Sequence, residues 1–159
     1  MIVVTTESWT SPAATRLVAA LTTELDERYE GIDSEDEDTE LGVLSDDAHF
    51  VVARIAGAPV GCGAVVAWDG STAEVKRVYV APEARGRGVA RAVMGALEAA
   101  ATEHGITTLH LETGRMQPEA IALYGSLGYE QVPCGGRMRS AAWSVCMRKR
   151  LRGGAAPPG

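Results

Sequence analysis

The chain has 159 residues, of which 46% are hydrophobic and 23% charged, a balance that excludes a disordered chain. The length fits one domain with one sizeable core. No apolar run approaches the ~20 residues of a membrane helix, and the N-terminus lacks the basic and apolar regions of a signal peptide. We therefore expect a cytoplasmic protein without a membrane partner.

The net charge of −6 is concentrated in one segment. Residues 33–47 contain eight acidic residues and no Lys or Arg, so the rest of the chain, with 13 acidic and 15 basic residues, is slightly basic. An acidic chain without a wide basic patch is a poor general binder of nucleic acid. We therefore expect no nucleic-acid partner.

The three cysteines, Cys62, Cys134 and Cys146, are odd in number and far apart, and none belongs to a CxxC pair. This spacing predicts neither a disulfide framework nor a zinc site. The three histidines show no metal-ligand spacing either, so no metal is expected. We interpret the cysteines as small buried residues rather than nucleophiles, because no histidine lies near them in sequence.

The first half of the chain predicts four strands and one helix. Ser11 followed by Pro12 indicates a helix start, and leucines at helical spacing extend that helix to about Tyr29. The acidic segment 33–47 has no clear periodicity and is interpreted as a loop, or a loop with a short helix. Asp69-Gly70 is a hairpin turn signal before the fourth strand. The strands are predicted at residues 2–6, 49–55, 61–68 and 72–81.

The second half predicts helices alternating with strands. A helix from Val89 to about Glu103 is followed by a strand at 107–112, a helix from Pro118 to Leu127, and strands at 129–132 and 143–151. Hairpin-linked strands followed by such alternation favour a mixed α/β sheet with helices on its faces. We expect a single domain over residues 1–152 and a disordered Gly- and Pro-rich tail at 153–159.

The segment 85–90, Arg-Gly-Arg-Gly-Val-Ala, is the most informative part of the sequence. Two glycines leave backbone N–H groups uncovered, and the helix that follows adds its free amides and its dipole. Neither the P-loop pattern GxxxxGK[ST] nor the dinucleotide pattern GxGxxG is present. The segment therefore predicts a different pyrophosphate site; the alternative is an ordinary Gly-rich turn with solvated arginines.

Strand 77–80, this loop and the following helix resemble motif A of the GCN5-related N-acetyltransferase (GNAT) family. The family pattern Gln/Arg-x-x-Gly-x-Gly/Ala falls here on Arg85, Gly88 and Ala90. Residues 117–129 resemble the family's second signature, and the resemblance spans roughly residues 2–151. It implies the GNAT fold, an α/β fold with a mixed, mostly antiparallel central sheet of six to seven strands flanked by helices.

The resemblance also implies acetyl-CoA as cosubstrate. Its pantetheine arm would pair with strand 77–80 at Val80, and the amide of Val78 would face the thioester carbonyl as an oxyanion donor. Gln117 stands where the family often has Asn, which implies a contact with the pantetheine. The pyrophosphate would lie on the backbone amides of Arg85, Gly86, Arg87, Gly88, Val89 and Ala90.

Acetyl transfer requires an amine of pKa ~10.4 to lose a proton and a thiolate, whose acid has a pKa of ~8.5, to gain one. Tyr124 matches the family's Tyr and is the predicted acid; the alternative is a core residue in an apolar helical stripe. Glu74, 11 residues before Arg85, matches the general base of the histone-acetylating members. The alternative for Glu74 is a solvated carboxylate, paired with Lys76 or Arg77.

The resulting hypothesis is direct acetyl transfer to a primary amine of a small molecule. Two alternatives are a protein or peptide N-acetyltransferase and a non-catalytic CoA-binding regulatory module, and a homodimer stays open. The carboxylates of 33–47 favour a cationic acceptor, because by resemblance this segment can lie beside the acceptor cleft. For an anionic acceptor, Arg137 and Arg139 are the alternative contacts.

Overall fold

The computed structural model describes residues 1–31, 44–136, 138 and 142–151. Within these residues, seven strands and three α-helices follow the predicted order. The strands are β1 (Ile2–Thr6), β2 (His49–Ile55), β3 (Ala58–Ala67), β4 (Thr72–Val80), β5 (Thr108–Gly114), β6 (Glu130–Val132) and β7 (Ser144–Arg150). The helices are α1 (Pro12–Arg28), α2 (Val89–Glu103) and α3 (Pro118–Ser126), with a 3-10 turn at Pro82–Ala84. None of the helices in these ranges is both long and apolar enough to cross a membrane.

The strands form one mixed sheet in the order β1-β2-β3-β4-β5-β7-β6. Neighbouring strands are antiparallel except β4 and β5, which run parallel. A parallel pair needs a crossover, and α2 provides it. The α/β class and the mostly antiparallel sheet of six to seven strands are therefore confirmed.

Helix α1 begins and ends where the sequence signals indicate. The Ser11 side chain accepts a hydrogen bond from the Ala14 amide at 3.1 Å, which caps the helix. Gly31, just beyond the end, has a φ of 79°, a left-handed conformation that glycine adopts freely. Leu17 and Leu21 are buried against the sheet, as their spacing predicts.

Two apolar cores lie on the two faces of the sheet. On the α1 face, Leu17 and Leu21 pack with Phe50 and Val52. On the other face, α2 is the main cover, and its buried side chains pack against the sheet. The residues of α2 in this core are Val89, Val93, Met94, Leu97 and Ala101. The sheet thus lies between two separate apolar cores, one beneath α1 and one beneath α2.

Strand β3 begins at Ala58, three residues before the predicted start at 61. Ala56 and Gly57 both have positive φ, 50° and 83°. Such a two-residue turn reverses the chain at once, so Pro59 already pairs with Arg54 of β2. The prediction placed this turn too far along the chain.

Strand β4 contains a bulge that the sequence prediction missed. The pairing with β3 shifts between Cys62 and Ala64, and Arg77, on the β4 side, has a φ of 58°. A bulge inserts one unpaired residue and bends the strand. As a result, Val75 and Val78 both contact the core beneath α2, although strict alternation would place them on opposite faces.

The prediction that the cysteines form no disulfide was wrong, whereas Cys62 and Cys146 are buried as interpreted and Cys134 is half-buried. Cys134 and Cys146 form a disulfide, with their Cα atoms 5.3 Å apart and a sequence separation of 12. Val132 of β6 pairs with Cys146 of β7, so the antiparallel pairing brings the end of β6 to the second cysteine. Cys62 is a free, buried thiol, and burial raises its pKa to about 12.

Some sequence predictions lie outside the described residues. They are the loop assignment for 33–43, the proposed substrate contacts Arg137 and Arg139, and the disordered tail at 153–159. Of the acidic segment, Asp46 and Asp47 are described, and both are exposed. The extent of the domain, residues 1–152, stays a prediction.

Candidate active site

A cleft of about 430 Å³ lies where α1, the end of β4, the start of α2 and α3 meet. This volume falls within the usual range of small-molecule sites. The cleft brings together most of the predicted site residues. Those lining it are Val78, Val80, Arg85, Gly86, Gly88, Val89, Ala90, Gln117 and Tyr124. Arg87 is exposed and does not line it, and Glu74 lies elsewhere.

The loop before α2 presents an uncovered backbone to this cleft. Gly86 and Gly88 have φ of 78° and 84°, and a Cβ added to either would meet no atom within 4 Å. The amides of Gly86, Arg87 and Gly88 donate to no described residue. Gly88 is also the N-cap of α2, with no side-chain cap, so the first helical amides are left for a ligand. This loop can therefore hold an anion.

The end of β4 has a free edge beside this loop. The pairing between β4 and β5 stops at Val75 opposite Leu111, whereas the pairing with β3 continues to Val80. Val78 and Val80 therefore have no strand neighbour on the β5 side within the described sheet. An extended arm bearing amides can pair there as an added strand would. Anion loop and free edge together fit acetyl-CoA.

Tyr124 is almost completely buried, with 7% of its surface exposed, yet it lines the cleft. Its hydroxyl has no hydrogen-bond partner among the described residues, and these residues contain no fully buried side-chain oxygen that lacks a partner. The hydroxyl therefore faces the cleft. Burial raises the pKa of Tyr124 to about 12, so the phenol keeps its proton at neutral pH.

Gln117 is held by an aromatic cluster at the end of β5. Its side-chain nitrogen donates to the Tyr29 hydroxyl at 3.2 Å, and the Tyr29 and Trp143 rings lie 4.6 Å apart. Both rings pack over Gly114, where an added Cβ would overlap the Tyr29 hydroxyl and lie 3.1 Å from Trp143. The glycine is needed because the end of α1 sits directly on the strand.

Glu74 lies on the face of the sheet opposite α2, since Ala73 and Val75 on either side of it belong to the core beneath α2. It accepts a hydrogen bond from the Trp68 indole at 3.3 Å, and Lys76 lies 4.0 Å away. Burial raises its pKa, with a smaller contribution from the negative charge of Glu112. Glu74 is thus a stronger base than a solvated carboxylate, but it lies outside the cleft that contains Tyr124.

A second cavity, of about 340 Å³, borders this region. Trp68 stacks on His110 at 4.7 Å between ring centroids, and both line it with Arg148 and the disulfide residue Cys146. Burial lowers the pKa of His110, which favours its neutral form. Sequence reasoning did not single out Trp68 or His110, because each follows an ordinary strand pattern.

Metal ligation has no support within the described ranges. They contain no group of three or more His, Cys, Asp or Glu side chains that could hold a metal ion.

The fold and the cleft define the class of protein. The chain belongs to the acetyltransferase (GNAT) family, whose model matches residues 11–129. A crystal structure from Klebsiella pneumoniae subsp. pneumoniae MGH 78578, provisionally described as an acyl-CoA N-acyltransferase, has a TM-score of 0.82 and 32% identity. That alignment covers 95% of this chain and 98% of the other.

Two further proteins are similar. The IAA acetyltransferase of Azospirillum brasilense is 43% identical over 84 residues, covering 52% of this chain and 55% of that protein. The chain spans little more than half the length of the first two curated relatives that it matches. A GNAT acetyltransferase from Elizabethkingia anophelis with acetyl-CoA bound has the same fold, with a TM-score of 0.66, 16% identity, and coverage of 94% and 98%.

Proposed function

We propose that this GNAT protein transfers the acetyl group of acetyl-CoA directly to a primary amine of a small molecule. The observation that carries the proposal is the cleft itself. Within the described residues, it combines the partner-free amides of the 86–88 loop, the unpaired edge of β4 and a Tyr124 hydroxyl without a hydrogen-bond partner. An anion site, an edge for an extended arm and a proton donor are the parts that this reaction needs.

Acetyl-CoA supplies the activated acetyl group as a thioester. The amides from Gly86 to Ala90 bind its pyrophosphate, and Val80 on the free edge of β4 orients the pantetheine arm. The Arg85 amide, which the sequence prediction included, already donates to the Pro82 carbonyl at 3.3 Å. Gln117 lines the same cleft, and its amide nitrogen already donates to Tyr29, so its oxygen remains available as an acceptor. These contacts hold the thioester against Val78.

The chemistry then falls to three groups. The Val78 amide stabilises the negative charge that develops on the thioester oxygen. Tyr124 donates its proton to the departing thiolate. Its raised pKa keeps the phenol protonated until the thiolate leaves. Glu74 takes the proton of the amine, and its raised pKa makes it a better base for that role. Because Glu74 lies outside the cleft, we propose that the acceptor approaches from the face opposite α2.

The test combines binding with turnover. Calorimetry with CoA measures the first half of the proposal, and thiol release in a screen of amines, amino acids and basic peptides measures the second. We expect CoA binding together with release on a free amine. Release on peptides alone would favour a protein N-acetyltransferase, and CoA binding without any turnover would favour a regulatory module. A cytoplasmic location, a cationic acceptor and a homodimer stay predictions.

A further inference from the structure

Two carboxylates stand in a cleft that is proposed to bind a polyanion. Glu24 projects from α1 and Glu119 from the first turn of α3, and both line the cleft. Negative charges at these positions oppose the binding of a pyrophosphate. Each is paired with an arginine of the same cleft, Arg85 or Arg28.

Arg85 is occupied on several sides. One terminal nitrogen of its guanidinium lies 2.5 Å from Glu24 Oε1, and its Nε donates to the Val80 carbonyl at 3.0 Å. The guanidinium also lies 5.9 Å from the centroid of the Tyr79 ring. Arg85 is thus directed toward protein groups, and it covers the Val80 carbonyl of the free edge.

Arg28 extends the same set of contacts across the cleft. It lies 4.0 Å from Glu24 Oε1, forms an ion pair with Glu119, and donates to the Met116 carbonyl at 3.1 Å. The Glu24 and Arg28 side chains are only about a quarter exposed, at 25% and 26%. Their partners Arg85 and Glu119 are more exposed, at 39% and 57%. Water and salt therefore screen part of the attraction between Glu24 and Arg85.

We propose that Glu24 is a positioning residue that holds Arg85 in the absence of the cosubstrate and competes with pyrophosphate for it. This inference rests on the proposed acetyl-CoA function. When the cosubstrate binds, phosphate oxygens replace the Glu24 carboxylate on the guanidinium. Arg85 then leaves the Val80 carbonyl, which becomes free to accept from an amide of the pantetheine arm. Glu24 therefore sets the affinity for CoA from outside the phosphate loop.

The test is Glu24→Gln, which keeps the shape of the side chain and removes its charge. We expect CoA to bind about tenfold more tightly at low salt, the size of one charge-assisted hydrogen bond. The gain should shrink as ionic strength rises, and kcat should change little. Glu24→Ala should shift the affinity in the same direction. Calorimetry with CoA gives the affinity directly, without turnover.

Two controls isolate the contact. Glu27→Gln makes the same chemical change at an exposed position of the same helix, and it should leave the affinity unaltered. In an Arg85→Met background, Glu24→Gln should lose most of its effect, because a double-mutant cycle isolates the pair. Thermal melting establishes that each variant is folded.

The outcomes separate the two proposals. If the unmodified protein binds no CoA, both the proposed function and this inference are wrong. If it binds CoA but folded Glu24→Gln and Glu24→Ala bind with equal or lower affinity, the inference is overturned and the proposed function stands. An equal gain from Glu27→Gln would assign the effect to net charge and would also overturn it.

Discussion

The two sides of the proposed reaction are built from different parts of the protein. The cleft proposed for the cosubstrate depends on the backbone. It has two glycines of positive φ, amides at the start of α2 that donate to no described residue, and an edge of β4 that no described strand covers. The opposite face around Glu74 depends on side chains, with Trp68 stacked on His110 and a disulfide beside them. Backbone groups suit a ligand that every member of a family shares, whereas side chains allow the second ligand to differ.

The largest effect is expected at Tyr124, in the cleft proposed for the cosubstrate. Tyr124→Phe should lower kcat about 100- to 1000-fold, because a positioned general acid typically contributes about 10²- to 10⁴-fold. The melting temperature should stay close to native, since the hydroxyl has no partner among the described residues. With a pKa of about 12, Tyr124 should also cause no fall in kcat between neutral pH and pH ~10. Steady-state kinetics across pH measures both.

Tyr129→Phe is the matched control for Tyr124→Phe. The two rings pack edge to face at 5.9 Å, but the Tyr129 hydroxyl donates to Glu98 at 3.1 Å instead of facing the cleft. This variant should lose about 1–2 kcal/mol of stability while its kcat stays close to native. A kcat for Tyr124→Phe within about twofold of native would mean that Tyr124 is a core residue only.

The backbone character of the cosubstrate cleft can be tested with Gly88→Val. We expect CoA affinity to fall about 10- to 100-fold, because the amides of the loop shift away from the pyrophosphate. A β-branched residue at positive φ also costs about 1–2 kcal/mol of stability. Calorimetry and melting measure the two effects separately.

Gly57→Val is the control for that backbone strain. Gly57 has a φ of 83° against 84° for Gly88, and an added Cβ has equal space at both positions. It lies in the turn between β2 and β3 and does not line the cleft. The two variants should lose similar stability, and only Gly88→Val should lose affinity. Equal affinities would contradict a phosphate site in the loop.

Glu74→Gln tests the face of the sheet that depends on side chains. This variant should lose about tenfold in kcat/KM near neutral pH, because it lacks the proposed general base. The loss should be largest above the raised pKa of Glu74, where the carboxylate is charged and the amine is still protonated. It should shrink below that pKa, where Glu74 itself is protonated, and also at high pH, where the amine deprotonates itself. In the unmodified enzyme, kcat/KM should fall as pH drops through the raised pKa of Glu74. A loss of equal size at every pH would indicate a structural role, and no loss would assign the base to another group or to water.

The same shift predicts the direction of a stability effect at Glu74. Its pKa is higher in the folded protein than the ordinary 4.5, so the charged form is disfavoured by folding. Glu74→Gln should therefore be as stable as the native protein or slightly more stable at pH 7. That difference should disappear as pH falls below the unfolded pKa. Denaturant unfolding at the two pH values measures it.

Reducing the disulfide should have the smallest effect on the cosubstrate cleft. Cys134 and Cys146 close a short loop, so opening it should lower the free energy of unfolding by ~3 kcal/mol on a chain-entropy estimate. CoA affinity should stay unchanged, because neither cysteine lines the cleft. Melting and calorimetry with and without a dithiol test this. Three free thiols in the unreduced, unfolded protein would contradict the pairing.

The sequence predicted the architecture closely, because its signals are local. Helix α2 has the predicted bounds, from the apolar stripe that begins at Val89 to Gly105 just past its end. The bulge at Arg77 was missed, since a non-glycine residue at positive φ leaves no mark in the sequence. The Cys134–Cys146 pair depends on how β6 meets β7, which spacing alone does not indicate.

The candidate site likewise contains residues that local sequence motifs indicate and residues that only the tertiary structure brings together. The loop residues and Tyr124 could be singled out because each belongs to a contiguous motif, and the cleft brings Tyr124 together with all of these loop residues except Arg87. Glu24 and Arg28 look like ordinary solvated charges on a helix surface, and only the tertiary structure places them beside Arg85. The roles of Tyr124 and Glu74 stay predictions that kinetics must test.

The packing of Tyr29 on Gly114 affects the interpretation of a mutational scan of this protein. Any side chain at position 114 would displace Tyr29, and Gln117 would lose its partner at the wall of the cleft. A scan of all substitutions should therefore show an intolerant position at 114. That intolerance would reflect the close packing of the end of α1 on β5. A search for catalytic residues based on intolerance alone would wrongly count Gly114 as one.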